Sequence, residues 1–190
     1  MTSSTAPLFP LFLRLAGRRV VLVGGGRVAA GKLGALLQAG ADVLVVAPEV
    51  TPEIAAAGVR IVQRAFEASD LRGAWLVVAA APRDVNRSVV EAATARGIFV
   101  NAVDDVESAS AYAGAVERRA GVTIAIGTDG AAPALAGLLR EAIGAMLPKD
   151  LDRWMSCAVA ERQRWLASKV PMSQRRPQLL NALLGLYSHE

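Results

Sequence analysis

Residues Gly24-Gly25-Gly26-Arg27-Val28-Ala29 are the first stretch of this 190-residue chain whose spacing suggests chemistry. They match G-x-G-x-x-A, directly after an apolar run and at the opening of a helical pattern, which is the context that gives the motif its value. Gly24 would permit a tight turn. Gly26, having no side chain, would let a pyrophosphate approach the backbone, and Ala29 would let the helix pack closely on a sheet. The helix N-terminus would add free N–H groups and the positive end of its dipole. Together these are the means of holding a dinucleotide; the alternative is a glycine-rich turn in an α/β domain that binds no cofactor. An acidic residue expected at the end of the second strand is missing. Ala47 stands there, followed by Pro48 and Glu49. Glu49 is placed to reach a ribose hydroxyl, though late by a residue or two. No arginine is there to meet a 2′-phosphate, so the pattern favours NAD over NADP.

Asp104-Asp105 follow the apolar run Ile98–Val103. A carboxylate at that end of a parallel strand lies at the ligand-binding edge of the sheet, where a general base could take a proton as a hydride leaves. Capping a turn is the competing role for aspartate. A third stretch, Ile126-Gly127-Thr128-Asp129-Gly130, precedes Pro133 and a helical pattern. It reads either as an anion site or as a Thr/Asp helix cap. His189 is the sole histidine and the penultimate residue, so histidine-based catalysis is not expected. Cys157 reads as a packing residue of a helix, and Trp154 and Trp165 as core.

These residues need elements to position them. Val20–Val23, Val43–Ala47, Val59–Val62, Trp75–Ala81 and Ile98–Val103 read as strands, apolar apart from Arg60 and Asn101. Between them, Arg27–Ala39, a short Thr51–Ala57 and Asn86–Arg96 carry helical spacing, with Gly40 and Gly97 as stops. Such apolar strands alternating with helices indicate a parallel sheet covered on both faces. Ala111–Val116 and Val122–Ile126 read as two further strands. Ala132–Leu147, with Pro133 in its first turn, Leu151–Ser168 and Gln178–Tyr187 read as helices. The fold class is α/β: a Rossmann-type parallel sheet, then a small α+β region, then a C-terminal helical segment.

Composition narrows the function class. Hydrophobic residues make up 53% of the chain, enough for a core. No apolar run reaches the roughly 18–20 residues that span a bilayer, and Met1–Pro10 carries no pattern of a secretory signal. One cysteine permits neither an intrachain disulfide nor a cysteine-rich metal site. These features suit a cytoplasmic protein with no membrane partner. The net charge of +4 is carried mostly by arginine, with lysine only at 32, 149 and 169. No basic stripe interleaved with aromatics or zinc-finger spacing points to nucleic acid. A small polycarboxylate suits the charge.

Longer strings carry a resemblance. Pro7–Leu13, Val21–Lys32, Val45–Glu49, Trp75–Asn86, Phe99–Asp104, Ile124–Gly130, Pro133–Ala136 and Leu138–Glu141 together resemble the siroheme synthase family, in its precorrin-2 dehydrogenase and sirohydrochlorin ferrochelatase module. The resemblance implies three parts: an NAD-binding Rossmann domain (7–110), a dimerisation region that makes a homodimer (111–148), and a C-terminal helical segment that closes over a tetrapyrrole (149–190). It implies NAD-dependent oxidation of precorrin-2 to sirohydrochlorin, with ferrous iron insertion in some members and no metal ligands assigned. The family's key aspartate falls on Asp104, and its small-residue loop places Thr128 and Asp129 beside the substrate. Its cofactor contacts fall on Gly24, Gly26, Arg27, Val28, Pro48 and Glu49. Four departures stand out: Ala111 for an aromatic, Gly114 for proline, Ala81-Pro82 for Thr-Asp, and Asp129 for glycine. Asp129 would add negative charge beside a polycarboxylate. These changes also leave room for a diverged tetrapyrrole- or NAD-binding protein without catalysis.

Overall fold

The computed structural model describes residues 7–103, 105 and 107–187. They fall into two compact units that divide between Ala113 and Gly114.

The first unit is an α/β layer structure. Its strands are β1 (Arg19–Val23), β2 (Asp42–Val46), β3 (Arg60–Val62), β4 (Leu76–Ala79) and β5 (Phe99–Ala102), all parallel in the order β3-β2-β1-β4-β5. Its helices are α1 (Arg27–Gln38), the single turn α2 (Pro52–Ala55) and α3 (Arg83–Thr94). Successive side chains of a strand point to opposite faces, so the apolar runs build two cores. Val20, Leu22, Val43, Val45, Leu76 and Val78 pack with Ala29, Leu33 and Leu36 of α1 and with Ile54. Val21, Val23, Leu44, Val46, Val77, Ala79 and Val100 pack with Val89 and Ala93 of α3 and with Leu71. Both faces are covered, which is why the strands show no polar alternation.

The crossing from β3 to β4 is held by a buried carboxylate. Asp70 sits in a 3-10 turn, Ala68–Leu71, and its side chain is only 7% exposed. Its two oxygens accept from both terminal nitrogens of Arg64, at 2.6 and 2.9 Å, and the second also accepts the Glu67 N–H. The Arg64 contact holds the Asp70 carboxyl below its ordinary range.

The second unit pairs β6 (Ala115–Arg119) antiparallel with β7 (Val122–Ile126), joined through Ala120 and Gly121, both at positive φ. The helix α4 (Pro133–Met146) follows. Arg119 donates to the carbonyls of Gly144 and Leu147 at the end of α4, where the dipole favours a cation. Glu117 bridges Arg119 and Arg140. Next come α5 (Leu151–Ala167) and α6 (Met172–Gly185), tied at one end by Trp154, whose indole N–H donates to the Tyr187 hydroxyl, which donates to Asp150.

Two elements lie elsewhere than the sequence indicates. The strand expected over Ala111–Val116 begins at Ala115 and runs through Glu117, Arg118 and Arg119. Ala111 instead lies beside β5: its N–H donates to Val100 and its carbonyl accepts from Asn101. Charge hid the strand, because Glu117 and Arg119 find partners on α4. The last helix, expected over Gln178–Tyr187, starts at Met172 and carries Pro177 inside it.

Candidate functional site

The strand order turns back between β1 and β4, and the glycine turn stands at that switch point. Gly24 N–H donates to Val46 of β2 at 3.0 Å, and Ala80 N–H donates to Val23 of β1 at 2.8 Å. Gly24 has φ +124°, and a Cβ there would overlap the Ala80 carbonyl. Only glycine meets both demands. Gly25 is bound from the other side. A Cβ on it would overlap the Glu49 carbonyl, and its own carbonyl accepts the Thr51 N–H at 2.8 Å. The turn is therefore clamped between the loops that follow β2 and β4. Sequence reasoning passed over Gly25, since the motif leaves its position free; the approach of Glu49 is visible only in three dimensions.

Gly26 differs from its neighbours. It is the N-cap of α1, exposed, and a Cβ on it would meet no atom within 4 Å. No side chain caps α1, and its first helical bond runs from Ala30 N–H to Gly26. The N–H groups ahead of Ala30 thus have no helical acceptor, and the first turn holds no acidic residue. Arg27 and Val28 are exposed on this turn, while Ala29 is fully buried against the sheet. Room above Gly26, uncapped N–H groups and the Arg27 cation fit a pyrophosphate. Ala47 is buried at the end of β2, and Pro48 and Glu49 are exposed beside the turn.

A second feature shares this sheet edge. The residues after β4 and β5 form a cleft of about 300 Å3 lined by Ala81, Arg83, Asn86, Val103 and Asp105. It adjoins the glycine turn, since a Cβ on Gly24 would lie 3.2 Å from the Ala81 nitrogen. Asn86 is 4% exposed and accepts the Ala81 N–H at 2.9 Å, which fixes the loop into α3. Asp105 accepts the Ser108 N–H at 3.3 Å. Asp104 lies outside the described residues; its neighbours on both sides line the cleft. Arg83 and Asn86 were not singled out from sequence. A signal existed for Asn86: it precedes Val89 and Ala93 at helical spacing on the buried face, where a polar residue calls for a reason.

Thr128 and Asp129 belong to the second unit. They form a tight turn in which Asp129 (φ +50°) and Gly130 (φ +76°) are both left-handed and Ala131 N–H donates to the Thr128 carbonyl at 2.8 Å. Such a turn admits glycine or aspartate, which accounts for Asp129. The Thr128 hydroxyl accepts the Ala132 N–H at 3.3 Å just before α4, whose N-cap is Ala132 with no side-chain cap bond. Asp129 is exposed. Cys157 is half-buried on α5, Trp165 is buried, and His189 lies outside the described residues. Among the described residues no three His, Cys, Asp or Glu side chains come together as a metal site. No helix among them is long and apolar enough to cross a membrane.

A doubly wound parallel sheet with a glycine turn at its switch point defines a Rossmann-type, dinucleotide-binding protein. The sequence profile of an NAD(P)-binding family matches residues 11–115, and the chain belongs to that family. It is similar to Siroheme synthase 1 of Aeromonas salmonicida (strain A449), at 41% identity over 172 residues, which cover 88% of this chain and 37% of the relative. It is also similar to the siroheme synthase of Gluconacetobacter diazotrophicus, at 43% identity over 93% of this chain and 40% of the relative. The chain thus spans about two fifths of the length of these curated relatives. Among solved structures it is similar to SirC, precorrin-2 dehydrogenase, with a TM-score of 0.71 and 26% identity over 92% of this chain and 88% of that one.

Proposed function

We propose that this protein oxidises precorrin-2 to sirohydrochlorin with NAD. One observation carries the reading: the glycine turn and the polar cleft are contiguous at one sheet edge, in a chain whose fold extends along nearly the whole of a precorrin-2 dehydrogenase. Bound NAD would supply a hydride acceptor. The first-turn N–H groups of α1, Gly26 and Arg27 hold the pyrophosphate, and Val28 and Pro48 flank it. Glu49 takes the ribose hydroxyls, and its negative charge favours NAD over NADP. The oxidation removes a hydride and a proton from the macrocycle, and Asp104 accepts the proton as the hydride leaves. Thr128 and Asp129 contact the substrate. The region 111–148 makes a homodimer, the segment 149–190 closes over the tetrapyrrole, and the protein works in the cytoplasm.

The test is turnover of precorrin-2 with NAD, followed by the absorbance of sirohydrochlorin. Absence of turnover by the wild type, or undiminished turnover by Asp104→Ala, would refute the reading. The siroheme synthase relatives favour a second activity at the same site, insertion of ferrous iron as a substrate held chiefly by the macrocycle. An insertion rate no faster than the spontaneous one would remove it.

A further inference from the structure

We infer that Arg83 and Asn86 form a subsite for one carboxylate arm of the substrate, a group that neither the glycine turn nor Asp104 would hold. The inference rests on the proposed tetrapyrrole reading. Its starting point is the amide of Asn86. The Ala81 N–H is a donor, so the amide oxygen must face it, and the NH2 group is turned the other way. That NH2 has no hydrogen-bond partner among the described residues. It is also not one of the sealed polar atoms without partners, which are Arg19 Nε, Thr51 Oγ1 and Trp165 Nε1. In a residue only 4% exposed that lines the cleft, the remaining outlet for the amide is the cleft itself. The residue is buried and this NH2 is its one open donor, so an acceptor lodged in the cleft would complete it.

Two further features converge on the same spot. Arg83 lies one helical turn before Asn86, so both side chains share a face of α3. It is exposed, lines the cleft, and makes no ion pair or hydrogen bond among the described residues. It is also the first residue of α3, whose N-cap is Pro82 with no side-chain cap. The first helical bond there is Asn86 N–H to Pro82, which leaves the N–H groups ahead of it without helical acceptors. A cation at the positive end of a helix dipole is unfavourable alone, and an anion reverses the sign. Asp84 in the first turn offsets part of that charge and does not line the cleft.

The anion could be a carboxylate or a phosphate. Asp105, which also lines the cleft, decides for the former. Its carboxylate repels a doubly charged group more than a singly charged one, and it offers an acceptor to N–H donors on the ligand's body. A tetrapyrrole carries carboxylate arms outside and N–H groups inside. The cofactor's phosphates already have the first turn of α1.

The test titrates the full-length protein with sirohydrochlorin and, separately, with NAD. Arg83→Glu suits the helix N-terminus and keeps the fold. Asn86→Asp retains the acceptor for Ala81 N–H and replaces the NH2 by an oxygen. Each change is expected to weaken sirohydrochlorin binding by about tenfold or more, as loss of a charge-assisted contact does, and to raise the KM for precorrin-2 more than it lowers kcat. NAD affinity should stay within about twofold, less than any single lost hydrogen bond would cost. Wild-type turnover with unchanged sirohydrochlorin binding in Arg83→Glu overturns the subsite and leaves the dehydrogenase reading intact. Weakened NAD binding with sirohydrochlorin binding unchanged assigns the cleft to the cofactor and overturns it as well. If the wild type neither binds sirohydrochlorin nor turns over precorrin-2, the dehydrogenase reading fails and the subsite with it.

Discussion

Gly25 and Gly26 are adjacent, and replacing each by alanine should give different phenotypes. At Gly25 a Cβ overlaps the Glu49 carbonyl, which is backbone and cannot rotate away. The loop after β2 must shift, at an overpacking cost of about 1–3 kcal/mol. The shift also strains the 2.8 Å bond from Thr51 N–H to Gly25, a further ~1 kcal/mol. A combined loss of about 3 kcal/mol lowers the Tm of a unit this size by roughly 10 °C. At Gly26 the space is empty, and the backbone (φ −83°, ψ −174°) is open to any residue. Alanine is the poorer N-cap but reduces the freedom of the unfolded chain, so the two effects offset to within about 1 kcal/mol. Its methyl group would instead occupy the space proposed for the pyrophosphate. Losing one or two charge-assisted hydrogen bonds weakens NAD binding by about 10- to 100-fold. Thermal denaturation and calorimetric titration with NAD measure both quantities. The reasoning fails if Gly26→Ala binds NAD like the wild type, or if Gly25→Ala melts like the wild type.

Four further outcomes are expected. Asp104→Asn should lower precorrin-2 turnover by about 10²- to 10⁴-fold, the usual contribution of a general base, with NAD affinity measured alongside and unchanged. Glu49→Arg should shift the ratio of NADP to NAD affinity by about tenfold or more, because a repelling carboxylate becomes a partner for the 2′-phosphate; an unchanged ratio removes Glu49 from the ribose site. Asp70→Asn should lower the Tm at neutral pH. The folded carboxyl is held below its ordinary range, so its stabilisation is present above the unfolded pKa, about 3.9, and is lost as pH falls through the lower folded value. The gap between variant and wild type should therefore close in acid, and a gap independent of pH would contradict the assignment. Gly114→Ala should destabilise the second unit by about 1–3 kcal/mol, since a Cβ there overlaps the Ile126 carbonyl beside the β6–β7 pair; denaturant unfolding measures it.

Much of this protein is legible in the order of its residues. Uninterrupted Val and Leu runs separated by helical spacing specify a parallel sheet with two covered faces, because a strand buried on both sides has no place for polar alternation. The G-x-G-x-x-A string after the first run fixes where a helix starts and why its N-terminus is bare. Local rules suffice to place that start, since the turn and the cap involve neighbours in sequence. The reach of β6 through Glu117–Arg119 was not legible, because those charges are satisfied by α4 and the bond partners lie far along the chain. The same holds for the site. The sequence marks Gly24 and Gly26, but only the tertiary fold brings Glu49 against Gly25, and only the fold sets the amide oxygen of Asn86 against the Ala81 N–H. Motifs record what the backbone needs locally. Contacts between loops at the end of a sheet depend on strand order, which no local pattern encodes.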